Sequence, residues 1–351
     1  MTNPCHTAAL GWPSVPEHPR PPAELTVLER LLDGAPPGVE IRCTDCAGEP
    51  VLPVYEIALG TSSPQAPAVG FFGGVHGLER IGAQVVIAWL QSLLARLSWD
   101  DTLHRQLECV RLVFMPLVNP GGTLRHTRAN PAGVDLMRNS PVEAKDRVAP
   151  MVGGQRLSAG LPWYRGRAGA TMEPESAALC AVVERELHPR PFSLAIDCHS
   201  GFGLHDRLWF PFAHTARPIG HLAELEALHA ILESSHPNHP YVFEPQSRQY
   251  LAHGDLWDHL YLRASPRTVF LPLTLEMGSW LWVKKNPRQL FSRSGIFNPM
   301  LAHRHERVLR RHFPLLEFLV RAAIGSARWL PAEAQRGALR HRALERWYRP
   351  S

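Results

Sequence analysis

The chain has 351 residues, of which 45% are hydrophobic and 20% are charged, and its formal net charge is +5. These proportions are typical of a folded protein, and the weak, scattered positive charge does not indicate nucleic-acid binding. No run of about 18 apolar residues predicts a membrane span, and the N-terminus lacks the basic and apolar regions of a secretory signal, so we expect a cytoplasmic protein.

The hydrophobic pattern predicts strands that alternate with helices. From the N-terminus we predict an irregular segment over residues 1–22, a helix over 23–32, paired strands over 38–43 and 51–59, a strand over 66–72, a helix over 81–97 and a strand over 110–118. Beyond a polar, non-periodic segment over 123–170, we predict helices over 173–187, 218–234, 255–264, 300–324 and 332–347, and strands over 192–198 and 268–275. Strands that are almost continuous apolar runs, separated by helices, indicate an α/β fold with a parallel or mixed sheet covered on both faces.

The turn between the strand over 66–72 and the helix that follows it contains His76 and Glu79, three residues apart. This spacing lets an imidazole and a carboxylate converge on one point, and zinc accepts both kinds of ligand. On its own the motif also fits a solvated histidine and a glutamate that interacts with the positive end of a helix. A metal site therefore requires a third ligand from a distant part of the chain.

Two later strands also lead into residues that can take part in metal chemistry. The strand that begins at residue 192 leads into His199, and the one that begins at residue 268 leads into Glu276. In open α/β sheets the functional site lies beyond the carboxyl ends of the strands. His199 would complete a set of three zinc ligands with the histidine and glutamate of the turn, and Glu276 would serve as general base for an attacking water.

The non-periodic segment after Asn119 supplies the positive charge that a hydrolase needs where an oxyanion develops. Its candidates are Arg125, Arg128 and Arg138. The same segment contains four further side chains that either line a substrate groove or belong to a packed surface loop. They are Trp163, Tyr164, Arg165 and Arg167.

These motifs and their order resemble those of the zinc carboxypeptidase superfamily, which includes carboxypeptidase A and the succinylglutamate desuccinylase and aspartoacylase branch. The matching residues are His76-Gly77-Leu78-Glu79, Asn119-Pro120 followed by Arg128, Asp135-Leu136-Met137-Arg138-Asn139, His199-Ser200 and Thr274-Leu275-Glu276. Tyr250, which lies eight residues before Asp258, is similar to the mobile tyrosine that caps the substrate, and Asp258 or a neighbour is similar to the aspartate of the pocket. The resemblance covers residues 51–325.

The resemblance implies a single α/β domain with a mixed, mostly parallel sheet of about eight strands flanked by helices, and a zinc site at the carboxyl ends of the strands. The corresponding division of the chain is an irregular N-terminal segment with the first strand over 1–50, a catalytic domain over 51–325 and a basic helical tail over 326–351.

The resemblance also assigns roles to individual residues. The ligands of one zinc ion (Zn²⁺) would be His76, Glu79 and His199. The catalytic residues would be Glu276 as general base and Arg128 as the cation that stabilises the oxyanion. The substrate would contact Arg138, Asn139 and Tyr250.

One position departs from the family pattern. The asparagine beside the carboxylate-binding arginine is replaced by Met137, whose thioether cannot donate a hydrogen bond.

The sequence predicts a zinc-dependent hydrolase that cleaves an amide bond in a small peptide or an N-acyl amino acid, with no nucleic-acid or membrane partner and with a homo-oligomeric state left open. The alternatives are a deacylase or esterase acting on a small acylated metabolite, and a noncatalytic ligand-binding descendant of the fold.

Other features have less specific interpretations. Cys43 and Cys46 form one C-x-x-C pair, but no second pair completes a structural zinc site, so we predict a reduced pair. Cys109 and Cys198 lie in or beside apolar runs and are predicted to be small buried residues. The C-terminal helical stretch is rich in arginine, which indicates either a solvated helix face or an oligomer contact.

Overall fold

The computed structural model describes residues 20–46 and 50–349. Residues 1–19, which make up most of the predicted irregular segment and include Cys5, lie outside this range, as do the last two residues of the predicted tail. The described residues form one eight-stranded sheet of β1 (Glu40–Cys46), β2 (Leu52–Gly60), β3 (Ala68–Gly73), β4 (Arg111–Met115), β5 (Phe192–Ser200), β6 (Arg207–Phe210), β7 (Val242–Pro245) and β8 (Val269–Met277). Their order across the sheet is β1-β2-β4-β3-β5-β8-β6-β7.

The centre of the sheet is parallel, and antiparallel pairs flank it. Strands β4, β3, β5 and β8 run in one direction, whereas β1 pairs antiparallel with β2, and β6 pairs antiparallel with β8. The central strands β3, β4 and β5 are buried along their whole length, as expected for strands covered on both faces. The predicted α/β fold with a mixed, mostly parallel sheet is thereby confirmed, including the predicted pairing of β1 with β2.

Helices cover both faces of this sheet. Within the described residues they are α1 (Ala23–Asp33), α2 (Arg80–Arg96), α3 (Asp101–Leu107), α4 (Pro120–Arg125), α5 (Pro174–Glu186), α6 (Leu222–Ser235), α7 (Leu256–Arg263), α8 (Trp280–Lys285), α9 (Ala302–Arg311), α10 (Phe313–Ile324), α11 (Ser326–Trp329) and α12 (Glu333–Trp347). None of them alone is long and apolar enough to cross a membrane, although α2 and α3, joined at a sharp bend, pass that test together by length and composition.

Two hydrophobic cores lie on opposite faces of the sheet, because successive strand residues point to opposite sides. Phe71 of β3 packs in the core that contains α2, α6, α10 and α12, and the next residue, Phe72, packs in the core that contains α5 and α7. Both cores use alternate residues of β3, β4 and β5, so the sheet is the layer on which the rest of the domain is assembled.

Three sequence predictions need correction. Strands β6 and β7 were not predicted, because four residues are too few to show a period. The single helix predicted over 300–324 is two helices, α9 and α10, and Pro314 lies at the start of the second, a position where proline is tolerated. Cys109 is exposed in the turn between α3 and β4, whereas Cys198 is buried as predicted.

The C-terminal helix α12 packs against α6 and contributes to the same core as the sheet. Trp347 is only 3% exposed, and its indole Nε1 donates a hydrogen bond to the carbonyl oxygen of Phe243 at 2.8 Å. Arg346 forms an ion pair with the buried Glu226 of α6 at 3.1 Å. Part of the arginine-rich surface of this helix therefore contacts the domain rather than solvent.

Two glycines allow the segments that carry the candidate site to approach closely. A Cβ atom on Gly77 would lie 2.0 Å from the carbonyl carbon of Gly122, and one on Gly82 would lie 2.0 Å from the carbonyl oxygen of Cys198. The turn after β3 therefore packs on the start of α4, and α2 packs on the end of β5. This packing brings the predicted ligands together beyond the carboxyl ends of the central strands.

Candidate metal centre and active-site cavity

Three predicted ligands from two distant segments form one buried cluster. His76 lies in the turn after β3, Glu79 directly precedes α2, and His199 lies near the end of β5. The two histidine Nδ1 atoms are 3.2 Å apart, and they lie 3.0 Å (His76) and 3.1 Å (His199) from the two carboxylate oxygens of Glu79. Each residue is at most 4% exposed.

This arrangement fits a zinc ion. Two nitrogen ligands at about 2.0–2.1 Å from a tetrahedral zinc are separated by roughly 3.3 Å, close to the distance between the two Nδ1 atoms. The three residues are the one group of at least three His, Cys, Asp or Glu side chains in the described chain whose ligand atoms all lie within 4.8 Å of one another. Three protein ligands leave an open position, as catalytic zinc sites require.

Two carboxylates behind the histidines fix the orientation of the imidazole rings. Nε2 of His76 lies 3.1 Å from Asp135, and Nε2 of His199 lies 2.7 Å from Asp197. The indole of Trp257 donates to the same oxygen of Asp197 at 2.9 Å. Such partners hold a metal-binding histidine with its other nitrogen toward the ion. The sequence analysis did not assign these roles, although the two-residue spacing of Asp197 and His199 on one strand places both side chains on the same face.

The charges of the cluster support one another. Burial opposes ionisation of Glu79, but His76 and His199 hold the pKa of this carboxyl well below its ordinary value. Burial likewise opposes protonation of His199, yet Asp197 and Glu79 raise the pKa of its imidazole well above the usual range. The cluster therefore combines the carboxylate of Glu79 with the strongly basic imidazole of His199. A divalent cation binds such groups in place of protons.

Glu276 lies beside this cluster without belonging to it. It occupies the residue of β8 that pairs with His199 of β5, and its Oε1 accepts a hydrogen bond from the backbone N–H of Phe202 at 3.0 Å. Burial, and then the negative charge of Glu79, raise the pKa of Glu276 to about 8. A carboxyl group with a pKa near neutrality is suited to taking and returning protons.

Arg128 contacts the cluster directly, as its predicted role requires. Its Nη1 donates to Glu79 at 2.9 Å and its Nε donates to Asp135 at 2.8 Å, while 24% of the side chain remains exposed. The guanidinium is thus held at the edge of the metal site by two carboxylates. Arg125 instead donates to the carbonyl of Pro131 and does not line the cavity.

A cavity of about 270 Å³ opens over the metal cluster. Among the predicted site residues, it is lined by His76, Glu79, Arg128, Arg138, His199, Tyr250 and Glu276. Its aromatic lining includes Trp163, Phe202, Trp209 and Phe297. The residues predicted from distant parts of the sequence therefore share one concave site, and Trp163 of the long loop contributes to it.

The part of the cavity lined by Arg138 contains polar groups that lack partners. Arg138 is 2% exposed, its Nε has no hydrogen-bond partner, and its guanidinium lies 5.6 Å from the ring centre of Tyr250. Asp255 also lines the cavity, with an unpartnered Oδ2, and burial together with Asp258 raises its pKa to about 7. Asp258 itself accepts hydrogen bonds from Ala213 and His214 and does not line the cavity.

Asn139 lies outside the cavity. Its side-chain amide donates to the carbonyl of Arg165 at 3.1 Å and accepts from the backbone N–H of Glu173 at 2.6 Å. Arg165, which was one candidate for a substrate groove, is buried and forms a bidentate pair with Glu143. These contacts organise the long loop, so the geometry offers no support for a substrate contact at Asn139.

A model of the zinc carboxypeptidase family matches residues 48–278, which is more than half of the chain. The chain belongs to the zinc carboxypeptidase family. This match confirms the family that the motifs resemble, and its span contains every residue of the metal cluster together with Glu276.

Similarity to individual zinc carboxypeptidases is low in sequence and clear in fold. Carboxypeptidase D of Anas platyrhynchos is 23% identical over 185 residues, which cover 50% of this chain but only 11% of that protein. The structure of carboxypeptidase A from Helicoverpa armigera matches with a TM-score of 0.64 at 17% identity, over 86% of this chain and 72% of that one. Thrombin activatable fibrinolysis inhibitor matches with a TM-score of 0.62 at 20% identity, over 86% and 71% of the two chains. The two structural matches confirm the carboxypeptidase-like fold.

Proposed function

We propose that this member of the zinc carboxypeptidase family is a zinc-dependent hydrolase that cleaves an amide bond in a small peptide or an N-acyl amino acid. The observation that carries the proposal is the position of Glu276. This buried carboxyl shares a cavity with a His-Glu-His cluster and is not one of its members. A site that only bound a metal or a ligand would have no need of an additional carboxyl with a raised pKa.

His76, Glu79 and His199 would hold the ion, which supplies a Lewis acid for the scissile carbonyl and lowers the pKa of a water molecule. Glu276 takes a proton from the attacking water and passes it to the leaving nitrogen. The N–H of Phe202 holds one oxygen of Glu276, so that the other is available for the proton.

The two arginines of the cavity have different tasks in this proposal. Arg128, at the edge of the metal cluster, stabilises the negative charge that develops on the carbonyl oxygen. Arg138 binds a carboxylate that the substrate already carries, because its buried Nε lacks a protein partner. Met137 cannot assist it, so Arg138 supplies most of this anchoring, and Tyr250 covers the bound group.

The unpartnered groups at Arg138 favour a substrate with a free carboxylate over a neutral acylated metabolite, which leaves the deacylase or esterase as the second candidate. The test is zinc analysis of the purified protein, followed by hydrolysis of a panel of N-acyl amino acids, peptides and their carboxamides. Turnover of free acids in preference to carboxamides supports the proposal. Zinc binding without turnover of any amide or ester would favour the noncatalytic alternative. A cytoplasmic location stays a prediction, and the homo-oligomeric state stays open.

A further inference from the structure

A second cavity, of about 240 Å³, lies between α8 and α9 and shares no lining residue with the cavity over the metal cluster. Its ionisable side chains are all basic: Lys285 from α8, and His303, Arg304, Arg307 and Arg311 from α9. The remaining lining residues, Leu281, Trp282 and Val308, are apolar. Among residues 20–46 and 50–349, no carboxylate lines this cavity, which we call the α8–α9 cavity.

The residues that line the α8–α9 cavity belong to the segment with the strongest concentration of positive charge in the sequence. Residues 280–311 contain eight Lys and Arg residues and one acidic residue, Glu306, which gives this segment a net charge of +7. The whole chain has a net charge of +5, so the rest of the molecule is slightly negative. The positive charge is therefore a local property of this surface.

Three of the arginines lie on one side of α9, where their mutual repulsion lowers the stability of the helix. Arg304, Arg307 and Arg311 are three and four residues apart, so they share one helix face, and like charges at this spacing destabilise a helix. An anion bound between them would offset this repulsion.

Among the lining Lys and Arg residues, Arg311 has an ion pair, Arg304 contacts a backbone carbonyl, and the other two have no ion pair within the described residues. Arg311 pairs with Asp206 at 3.2 Å, and Nη1 of Arg304 donates to the carbonyl of Trp282 at 3.5 Å. Neither Lys285 nor Arg307 forms an ion pair with any carboxylate of the described chain (residues 20–46 and 50–349). The cavity thus presents fixed guanidinium groups beside uncompensated positive charges.

We propose that the α8–α9 cavity binds a phosphate-bearing ligand. Guanidinium groups bind phosphate through paired hydrogen bonds, and an ammonium group adds a point charge. Several cations around one cavity match a doubly charged phosphate better than a single carboxylate. A free phosphate ester and a lipid phosphate headgroup share this chemistry, and the experiment distinguishes them. The proposal does not depend on the proposed hydrolase activity.

The site lies close to the active-site cavity. The indole of Trp280, the first residue of α8, donates to the carbonyl of Gly201 at 2.9 Å, and Gly201 lines the cavity over the metal cluster. Lys285, at the other end of α8, lines the α8–α9 cavity. A helix of six residues is about 9 Å long, so the two cavities are neighbours.

The experiment measures phosphate binding by the full zinc-loaded chain. Calorimetric titration with glycerol 1-phosphate tests the free ester, and cosedimentation with phosphatidylcholine vesicles, with and without phosphatidic acid, tests the lipid headgroup. The variant is Lys285→Ala with Arg307→Ala. The matched control is Lys284→Ala with Arg310→Ala, which removes the same charge from the same two helices at residues outside the cavity lining.

We expect saturable binding of at least one phosphate probe, weakened by about tenfold or more in the cavity variant and nearly unchanged in the control, since a hydrogen bond to a charged group is worth roughly this factor. Binding to phosphatidic acid vesicles alone would assign the site to a lipid headgroup. Failure of both probes to bind, an equal loss in both double variants, or a loss in Arg138→Ala would overturn the proposal. Circular dichroism verifies folding, and Arg307→Gln alone provides a milder variant.

Discussion

At the scale of single residues, the metal site depends on three buried side chains that contact one another directly. His76 and His199 direct their Nδ1 atoms at each other and at Glu79, and all three side chains are buried. Their Nε2 atoms are occupied by Asp135 and Asp197, so each histidine has one fixed orientation. The geometry is therefore suited to an ion more than to packing.

The first prediction concerns this cluster. Replacing His76 or His199 by Ala should reduce the zinc content of the purified protein severely, because two protein ligands bind zinc far more weakly than three. Elemental analysis after dialysis measures the effect, with the exposed His341→Ala as control. Full zinc occupancy in both cluster variants would show that the ion is held elsewhere.

Glu276 should behave in the opposite way. Glu276→Gln keeps the shape of the side chain but removes the proton acceptor, so zinc content should stay normal while turnover falls by about 10²–10⁴-fold. Steady-state hydrolysis of the best substrate, normalised to bound zinc, measures this. If the Gln variant retained near-normal turnover, another group would have to be the base.

Replacing the two arginines of the active-site cavity, Arg128 and Arg138, should change different kinetic constants. Arg128→Ala should lower mainly kcat, since the charge that Arg128 stabilises exists only in the transition state. The loss of one oxyanion contact raises the activation free energy by about 2.7–4 kcal/mol. Arg138→Ala should raise mainly KM, because its carboxylate partner is already present in the ground state. Arg138→Lys should rescue only in part, since a point charge lacks the planar fork.

Kinetics on a matched pair of substrates, free acid and carboxamide, separate these roles. Arg138→Ala should remove the preference for the acid, whereas Arg128→Ala should slow both substrates alike. If Arg138→Ala slowed hydrolysis of the acid and the carboxamide equally, the arginine would shape the cavity without binding a carboxylate. The result would then indicate a neutral or extended substrate.

At the scale of elements, α7 begins at the cavity and links its stability to pH. Asp255 is the N-cap of α7, where its Oδ1 accepts from the N–H of Asp258, and its other oxygen has no partner. Burial and Asp258 raise its pKa from 3.8 to about 7, so the folded protein holds this proton more tightly than the unfolded chain does. The free energy of unfolding of the wild type should therefore decrease as the pH rises from about 4 to about 7, because the carboxyl ionises readily in the unfolded chain but not in the folded protein.

Asp255→Asn tests this linkage, because asparagine preserves the N-cap but does not ionise. The stability of the variant relative to wild type should increase between about pH 4 and about pH 7 and stay constant above it. Urea unfolding at a series of pH values measures the difference. In the control Asp146→Asn the difference should stay constant between about pH 4 and about pH 7 and change, with the opposite sign, only at lower pH, because bonds from Ala216 and Thr215 lower the pKa of Asp146 from 3.8. A pH-independent difference for Asp255→Asn would contradict the linkage.

At the scale of the whole molecule, the C-terminal helix closes the core on the face opposite α5 and α7. Trp347 of α12 contacts the rings of Phe210 and Phe243 from the two strands β6 and β7. The sequence analysis assigned this helix to a tail outside the catalytic domain. In the structure, the tail helix packs against β6 and β7, the two strands at one edge of the sheet.

Trp347→Ala should therefore lower the free energy of unfolding by about 3–5 kcal/mol, the usual effect of removing a buried large aromatic side chain. The control is Trp99→Ala, since Trp99 is 71% exposed and should change the stability little. Denaturant unfolding of both variants measures this. A stability of Trp347→Ala equal to that of Trp99→Ala would mean that α12 is not part of the cooperative unit.

The sequence by itself determined the central strands, the long helices, the family and the identities of the residues in the metal cluster. These were accessible because buried strands read as apolar runs, and because H-x-x-E, H-S and the late glutamate keep their types and order whatever surrounds them. Tertiary structure decided the rest. Strands β6 and β7 are too short for a local signal and exist because β8 offers an edge to pair with. Asp197, which supports His199, accepts a hydrogen bond from Trp257, 60 residues away. Asp255 rather than Asp258 lines the cavity, because Asp258 is engaged by the backbone of Ala213 and His214. Contacts between residues far apart in the chain leave no period in the sequence, so only the folded arrangement could assign them.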